Sequence, residues 1–304
     1  MVNEPISNER KQQIKEHLQK YVDQAGSAKK ASHRLTDVST AYISHVLNDN
    51  WDPIADSAWR NIEAQVRLAG DNTWKIARTK NYDELETLIK DAKTYAISYG
   101  LVGDAGTGKT QTVSCFESLS NVFVLKCNDY HNKHSFLVDL LSALGEKPGG
   151  YTNADMMANV IRFIRKAEMP VIIMDEVDKL PDSVLLFFIS LFNALEGQCG
   201  FLLMATEFLK FRIEKGALIN KKGYREIYSR LGRKFVTLER PTKNDVIAVV
   251  ESNGLFDKMA INHIWNGCDR DLRRVRRMVH ANKRCFAENG YYLYQIEDKE
   301  VARV

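Results

Sequence analysis

Over the first seventy residues the apolar positions recur at helical spacing. Ile14, Leu18 and Tyr21 or Val22 fall on one stripe of a polar stretch, which predicts an amphipathic helix within residues 1–24. Val38, Ile43, Val46 and Leu47 repeat the spacing around Ser39, a residue suited to cap a helix N-terminus. That helix is expected to bury its apolar side against the preceding one. Ser39, Thr40, Tyr42, Ser44 and His45 are then left facing outward. Trp51 and Trp59 are expected to anchor the core of this small unit. Pro53 punctuates it, and Gly70-Asp71-Asn72 ends it.

Further on the period changes. Short apolar runs at 95–102, 121–127, 169–175, 200–206 and 234–238 read as strands, and the segments 110–119, 135–144, 153–167 and 184–195 between them read as helices. Such alternation predicts an α/β core, a parallel five-stranded sheet between helices. Gly149-Gly150 reads as a loop. The run VLLFFISLFNAL (184–195) is apolar on nearly every face; it is expected to lie buried between the sheet and a lid, the alternative being contact with a neighbouring subunit. From Lys243 onward the pattern is helical, broken at Asn253-Gly254 and Asn266-Gly267. Three units result: 1–70, 71–240 and 241–304.

A chain of 304 residues with 44% apolar and 27% charged residues is ordinary globular material. The net charge of +4 is less telling than its distribution. Phe208 to Arg240 holds ten Lys/Arg against three Glu, and Asp269 to Arg284 holds seven against two Asp, whereas residues 1–70 balance at nine of each sign. The basic second half suits nucleotide, nucleic acid or a neighbouring subunit. Five scattered cysteines with no CxxC pair argue for reduced thiols and against a zinc module. The seven histidines lack metal-ligand spacing, and His131 and His134 read as loop residues. The first residues are polar, and the longest apolar run is too short to span a bilayer. The expectation is a soluble cytoplasmic protein with no membrane partner.

Two stretches carry chemistry. Gly103 to Thr110 reads GDAGTGKT, a complete phosphate loop. Its glycines let backbone N–H groups approach phosphates without side chains intruding, so Gly103, Asp104, Ala105, Gly106, Thr107, Gly108, Lys109, Thr110 and Gln111 form the expected cradle for ATP. Lys109 supplies charge to the β/γ-phosphates, and Thr110 supplies a hydroxyl to Mg²⁺. The apolar run ending MDEVDKL places Asp175 and Glu176 at a strand tip. Asp175 suits an Mg²⁺ ligand of the Walker B kind, and Glu176 a base that polarises the attacking water.

From Thr73 to the C-terminus the order of motifs resembles that of the AAA+ ATPases. Thr206, at the tip of GFLLMAT, then takes the place of the polar sensor 1 residue. IYSRL (227–231) resembles the box whose arginine enters a neighbour's ATP site, which implies Arg230, with Arg233 as second choice. DLRRV (271–275) resembles the sensor 2 stretch and implies Arg273, with Arg270 where the family often has Gly. Asn128 stands where related ATPases place a polar residue against the catalytic Glu. Ile76 and Arg78-Thr79 stand where they pack near adenine. The segment 27–50 resembles a helix-turn-helix of the phage-repressor type, with Asp37 where Gly is usual, so Ser39, Thr40, Tyr42, Ser44 and His45 become its expected DNA contacts.

Fused to a compact AAA+ core with a short lid, this unit is similar to the phage Mu B family of transposition proteins. That resemblance implies an ATP-dependent binder of double-stranded DNA. It would polymerise on target DNA as a filament or ring and deliver it to a DDE transposase. Two other functions use the same core: a replicative helicase loader, and a signalling or defence NTPase whose N-terminal domain binds protein.

Overall fold

The structure is a computed structural model that describes residues 6–66, 74–147 and 152–295. The expected boundary at 70–72 and the loop at 149–150 lie outside the described residues.

Four helices make the N-terminal unit: α1 (Asn8–Ala25), α2 (Ala28–Arg34), α3 (Thr40–Leu47) and α4 (Asp56–Val66). Ile14, Leu18, Ile43, Val46, Trp59 and Ile62 close its core, and Trp51 meets Trp59 edge-on at 5.5 Å between ring centroids. Between α2 and α3 the chain reverses at Asp37, which is left-handed (φ 56°). That torsion is one that Gly adopts freely and Asp more readily than most other residues. Ser39 caps α3, its hydroxyl accepting the Tyr42 N–H at 3.2 Å. The unit docks on the core through α2. Lys30 Nζ donates to the Glu117 carbonyl at 3.0 Å, Arg34 pairs with the Glu117 carboxylate, and Gly26 packs on Ser118.

The core runs α5 (Lys80–Tyr95), β1 (Ser98–Gly103), α6 (Lys109–Ser114), β2 (Val122–Lys126), α7 (Lys133–Leu144), α8 (Asn153–Ile164), β3 (Val171–Asp175), α9 (Asp182–Leu185), α10 (Phe187–Leu195), β4 (Gly200–Ala205), α11 (Glu207–Leu218), α12 (Tyr224–Arg230) and β5 (Phe235–Leu238). The five strands are parallel in the order β2-β3-β4-β1-β5. β3 and β4 are buried along their whole length, because helices cover both faces of the sheet. Phe123, Ile172, Phe201 and Leu203 face α7, α8 and α10, while Leu101, Ile173, Leu202 and Met204 face α5. Since β4 lies between β1 and β3, the loops that leave these three strands meet at one edge of the sheet.

The lid consists of α13 (Lys243–Ser252), α14 (Lys258–Gly267) and α15 (Leu272–Asn289), packed on Val246, Val250, Ile264, Val275 and Val279. Ala77 belongs to this lid core and Trp74 packs on it, so the segment before α5 travels with the lid rather than with the sheet. Polar clasps hold it there. The Asn253 side chain bonds both the N–H and the carbonyl of Lys75 at 2.9 Å, and Asp245 accepts the Lys80 N–H at 2.9 Å.

Some boundaries differ from expectation. β1 starts at Ser98, not Tyr95, because α5 runs to the exposed Tyr95 and ends on left-handed Ala96. α6 stops at Ser114, short of 119. The apolar run 184–195 divides at Leu186 into α9 and α10, and α10 packs on the sheet and on α8 and α12 rather than on the lid. The buried apolar residues of the lid pack in a core of their own, separate from the one that holds α10.

Candidate nucleotide site

β1 feeds a loop that turns at Gly106 (φ 80°) and Gly108 (φ 95°), left-handed torsions that glycine adopts without steric cost. Lys109 opens α6 and folds back over this loop. Its ammonium donates to the carbonyls of Gly103 (2.5 Å) and Asp104 (2.9 Å) and to Thr107 Oγ1 (3.3 Å). Burial pulls its pKa down, while Asp175 and Asp104 pull it up. A cation held in this way inside the curl of the loop is poorly hydrated and ready to meet an anion.

Thr110 Oγ1 donates to Asp175 Oδ2 at 2.6 Å, joining the first turn of α6 to the tip of β3. Asp175 is buried. Burial raises its pKa, against the hydrogen bonds from Thr110 and from the Glu176 N–H (2.9 Å). A hydroxyl beside a buried carboxylate suits Mg²⁺, a hard cation that takes one or two protein oxygens and completes its shell with phosphate and water. Among the described residues no group of three His, Cys, Asp or Glu side chains could hold a metal ion.

Glu176 follows in a left-handed turn (φ 58°), and its carboxylate meets Lys179 at 2.8 Å and Lys126 at 3.7 Å. Burial pushes its pKa up, but the two lysines outweigh burial and hold it below the usual carboxylate range. The expected partner Asn128 is not there. Its side chain donates to the Lys126 carbonyl (3.4 Å) and to Tyr130 (3.0 Å). The loop is bent by buried His131, whose Nδ1 accepts the Asn128 N–H at 3.2 Å and whose Nε2 faces Asp139 at 2.9 Å. His131 lies in a loop, as expected, and braces it. Thr206, beyond β4, donates its one hydroxyl proton to Asp178 Oδ2 at 2.5 Å. Only acceptor lone pairs remain, which suit a water better than a phosphate oxygen.

Part of this set lines a cavity of about 290 Å³, and Asp175 and Thr206 are not among its lining residues. Residues 105–112, Lys126, Glu176, Trp74, Ile76 and Val249 line it, together with Arg273 and Arg276 of α15. The Leu272 N–H donates to the Gly106 carbonyl at 2.9 Å. The Asp271 carboxylate lies so near Gly106 that a Cβ there would sit 2.1 Å from its Oδ1. Arg270 is left-handed (φ 56°), a torsion that favours glycine. Residues 94–213 match the family model described as AAA domain.

The centre of this chain is similar to an AAA domain.

Similar folds occur in Drosophila ORC bound to DNA (12% identity, 95% of this chain and 65% of that chain, TM-score 0.46) and in a mutant of Thermotoga maritima RuvB (14%, 69% and 64%, 0.44). Another is NtrX from Brucella abortus in complex with ATP (10%, 83% and 60%, 0.46). The chain thus spans 60–65% of the length of these structures.

Around this centre the remaining candidate residues divide. Ala105 to Gln111 and Arg273 line the cavity; Gly103 and Asp104 do not. Gly103 gives its carbonyl to Lys109, and the Asp104 carboxylate turns out to Arg240 at 2.7 Å. Ile76 and Thr79 line the cavity, whereas Arg78 pairs with Asp83 and Glu86. Arg230 is not a lining residue: Asn193 accepts from its Nη2 at 2.6 Å, and the guanidinium rests 5.5 Å from the Phe192 ring centre. On α3, Ser39, Thr40 and Ser44 are exposed, but Tyr42 leans on the N-terminal core, and Ser44 and His45 bond Asn48 and Asn50. Trp74, Lys126, Asp178, Lys179 and Arg276 were not foreseen. Only Lys179, one helical turn from Glu176, left a local signal.

Proposed function

We propose that this chain is an ATPase that binds double-stranded DNA under control of ATP and Mg²⁺, assembles on it as a homo-oligomeric filament or ring, and presents it to a DDE transposase. The 2.6 Å bond between Thr110 and Asp175 carries the nucleotide half of this reading, because it brings the phosphate loop and the acidic strand tip to one cavity with Lys109, Glu176 and Arg273. The reaction follows from the residues. Lys109 and Arg273 neutralise phosphate charge, Thr110 and Asp175 hold Mg²⁺, and Glu176 orients the attacking water while Thr206 accepts from it. Mg²⁺ supplies further charge to the phosphates.

The DNA half is supported by the α2–α3 pair, with its left-handed Asp37, its cap at Ser39 and its exposed Ser39, Thr40 and Ser44, and by the resemblance to the Mu B family. One observation favours the second reading, a protein-binding N-terminal domain. Lys30 and Arg34 of α2, which could otherwise face phosphates, are engaged by Glu117. Duplex binding by the full chain separates the two. With a non-hydrolysable ATP analogue, affinity is expected to appear and to fall steeply with salt, and electron microscopy is expected to show ordered assemblies on DNA. Tyr42→Ala or removal of residues 1–70 is expected to weaken that affinity. Unchanged, salt-dependent affinity after the removal would assign the domain to protein contacts.

A further inference from the structure

Arg212 of α11 is partly buried, and each of its three guanidinium nitrogens donates to a partner. Nη1 donates to the carbonyls of Leu180 (2.8 Å) and Asp178 (3.3 Å), in the turn that follows the acidic tip of β3. Nη2 donates to the Asp182 carboxylate at the start of α9, and Nε to the Tyr224 hydroxyl at 3.0 Å. Tyr224 opens α12 and is buried, and its hydroxyl donates in turn to Asp182 at 2.5 Å. Its ring lies flush on α11, since a Cβ at Gly216 would sit 2.3 Å from its Cδ1. One arm of this cluster therefore ends at Asp178, whose carboxylate accepts from the Thr206 hydroxyl at 2.5 Å. The other ends at α12, whose last residue is Arg230.

We propose that Tyr224 and Arg212 are positioning residues for Arg230: they anchor the N-terminal end of α12 so that the arginine at its other end meets a second copy's nucleotide. The inference rests on the reading above that copies assemble, with Arg230 as the arginine that enters the neighbour's site. Leverage makes the anchor matter. α12 has seven residues and is about 10 Å long. A tilt of roughly 6° at Tyr224 carries its far end by about 1 Å. There Arg230 is held by Asn193 (2.6 Å), Glu226 (3.5 Å) and the Phe192 ring. Asn193 and Phe192 belong to α10, which follows the α9 that carries Asp182, so both ends of α12 rest on one α9–α10 unit. The same guanidinium also grips the Asp178 carbonyl. The segment beside a subunit's own nucleotide and the helix it offers to the neighbour are thus joined through one side chain.

The test is ATP hydrolysis by mixtures of full chains on duplex DNA with Mg²⁺. In the reference mixture Arg230→Ala chains supply intact phosphate loops and Lys109→Ala chains supply intact arginines, and hydrolysis is expected to recover in part. Tyr224→Phe removes one hydroxyl, and with it two hydrogen bonds, but keeps the buried ring. Added to the Lys109→Ala chain, which donates the arginine, it is expected to lower the recovered rate by about 10-fold to 10²-fold, the effect of a misplacement near 1 Å. Arg212→Met in the same chain is expected to do likewise. Added to the Arg230→Ala chain, which holds the ATP, Tyr224→Phe is expected to leave both the recovered rate and the affinity for a fluorescent ATP analogue unchanged. Equal loss in both placements would show a general defect of the fold and overturn the positioning role. So would an unchanged rate with Tyr224→Phe in the arginine-donating chain, with the role of Arg230 itself left standing. No recovery in the reference mixture, from chains shown to co-assemble, would remove Arg230 from the neighbour's site and overturn both readings.

Discussion

On the proposed function, Lys109 serves nucleotide binding and Glu176 serves the chemistry. Lys109 is held by carbonyls of its own loop, and a methyl group cannot replace its charge. Lys109→Ala is therefore expected to abolish nucleotide binding in equilibrium titration, and with it ATP-dependent DNA binding. Wild-type affinity in the variant would remove the loop from the site. Glu176→Gln keeps the shape but loses the base. It should bind ATP normally, hydrolyse it about 10²–10⁴-fold more slowly and form long-lived DNA complexes. Turnover at the wild-type rate would mean that another group activates the water. The lysines on Glu176 also show the reach of local reading. Lys179 stands three residues away in sequence, but Lys126 arrives because β2 pairs with β3 in a register that places it opposite Asp175.

At the scale of elements, one carboxylate ties three helices together. Asp182, the first residue of α9, accepts from Tyr224 of α12 at 2.5 Å and pairs with Arg212 of α11 and with Lys221. Arg212 also donates to the Leu180 carbonyl at 2.8 Å, just past the acidic strand tip. Burial raises the Asp182 pKa, but Lys221, Tyr224 and Arg212 outweigh burial and hold it far below the usual carboxylate range. A depressed folded-state pKa contributes stability above the unfolded value of about 3.9, and the contribution is lost as pH falls toward the folded value. Asp182→Asn is expected to lower unfolding stability by about 1–3 kcal/mol at neutral pH, because it leaves Arg212 partly buried without its counter-charge. In urea titrations the gap between variant and wild type should narrow below pH 4. A gap that stays constant down to pH 3 would show that the carboxylate's charge is not what matters.

For the whole molecule the open contact is Arg230. It closes α12, lies outside its own chain's cavity and is held by Asn193, Glu226 and the Phe192 ring with only 19% of its side chain exposed; we propose that these contacts hold it until a second copy docks. Arg230→Ala is expected to leave nucleotide binding by single subunits nearly intact and to cut DNA-stimulated hydrolysis by about 10³-fold or more. Mixing Arg230→Ala with Lys109→Ala subunits should restore part of the activity, since an intact loop can then meet an intact arginine across the interface. No recovery from subunits shown to co-assemble would make Arg230 a structural residue, and Arg233→Ala in parallel decides between the two arginines. No helix of the described residues is long and apolar enough to cross a membrane, which matches the short apolar runs.

The amino-acid sequence by itself determined whatever depends on contiguous backbone. The phosphate loop was legible because its function lies in successive torsions and N–H groups, which Gly106 and Gly108 permit. The same holds for the reversal at Asp37, the left-handed Arg270 and the five strands, whose apolar runs reflect a sheet covered on both faces. Tertiary structure alone decided how distant segments meet. It set Trp74 against Arg276 across two hundred residues, Lys126 and not Asn128 on Glu176, Asp178 under Thr206, and α10 against α12 rather than the lid. The physical reason is common to these cases. Strand order and lid docking are set by the summed burial of many apolar side chains, and the polar side chains around the cavity take whichever partner that packing brings within hydrogen-bond reach.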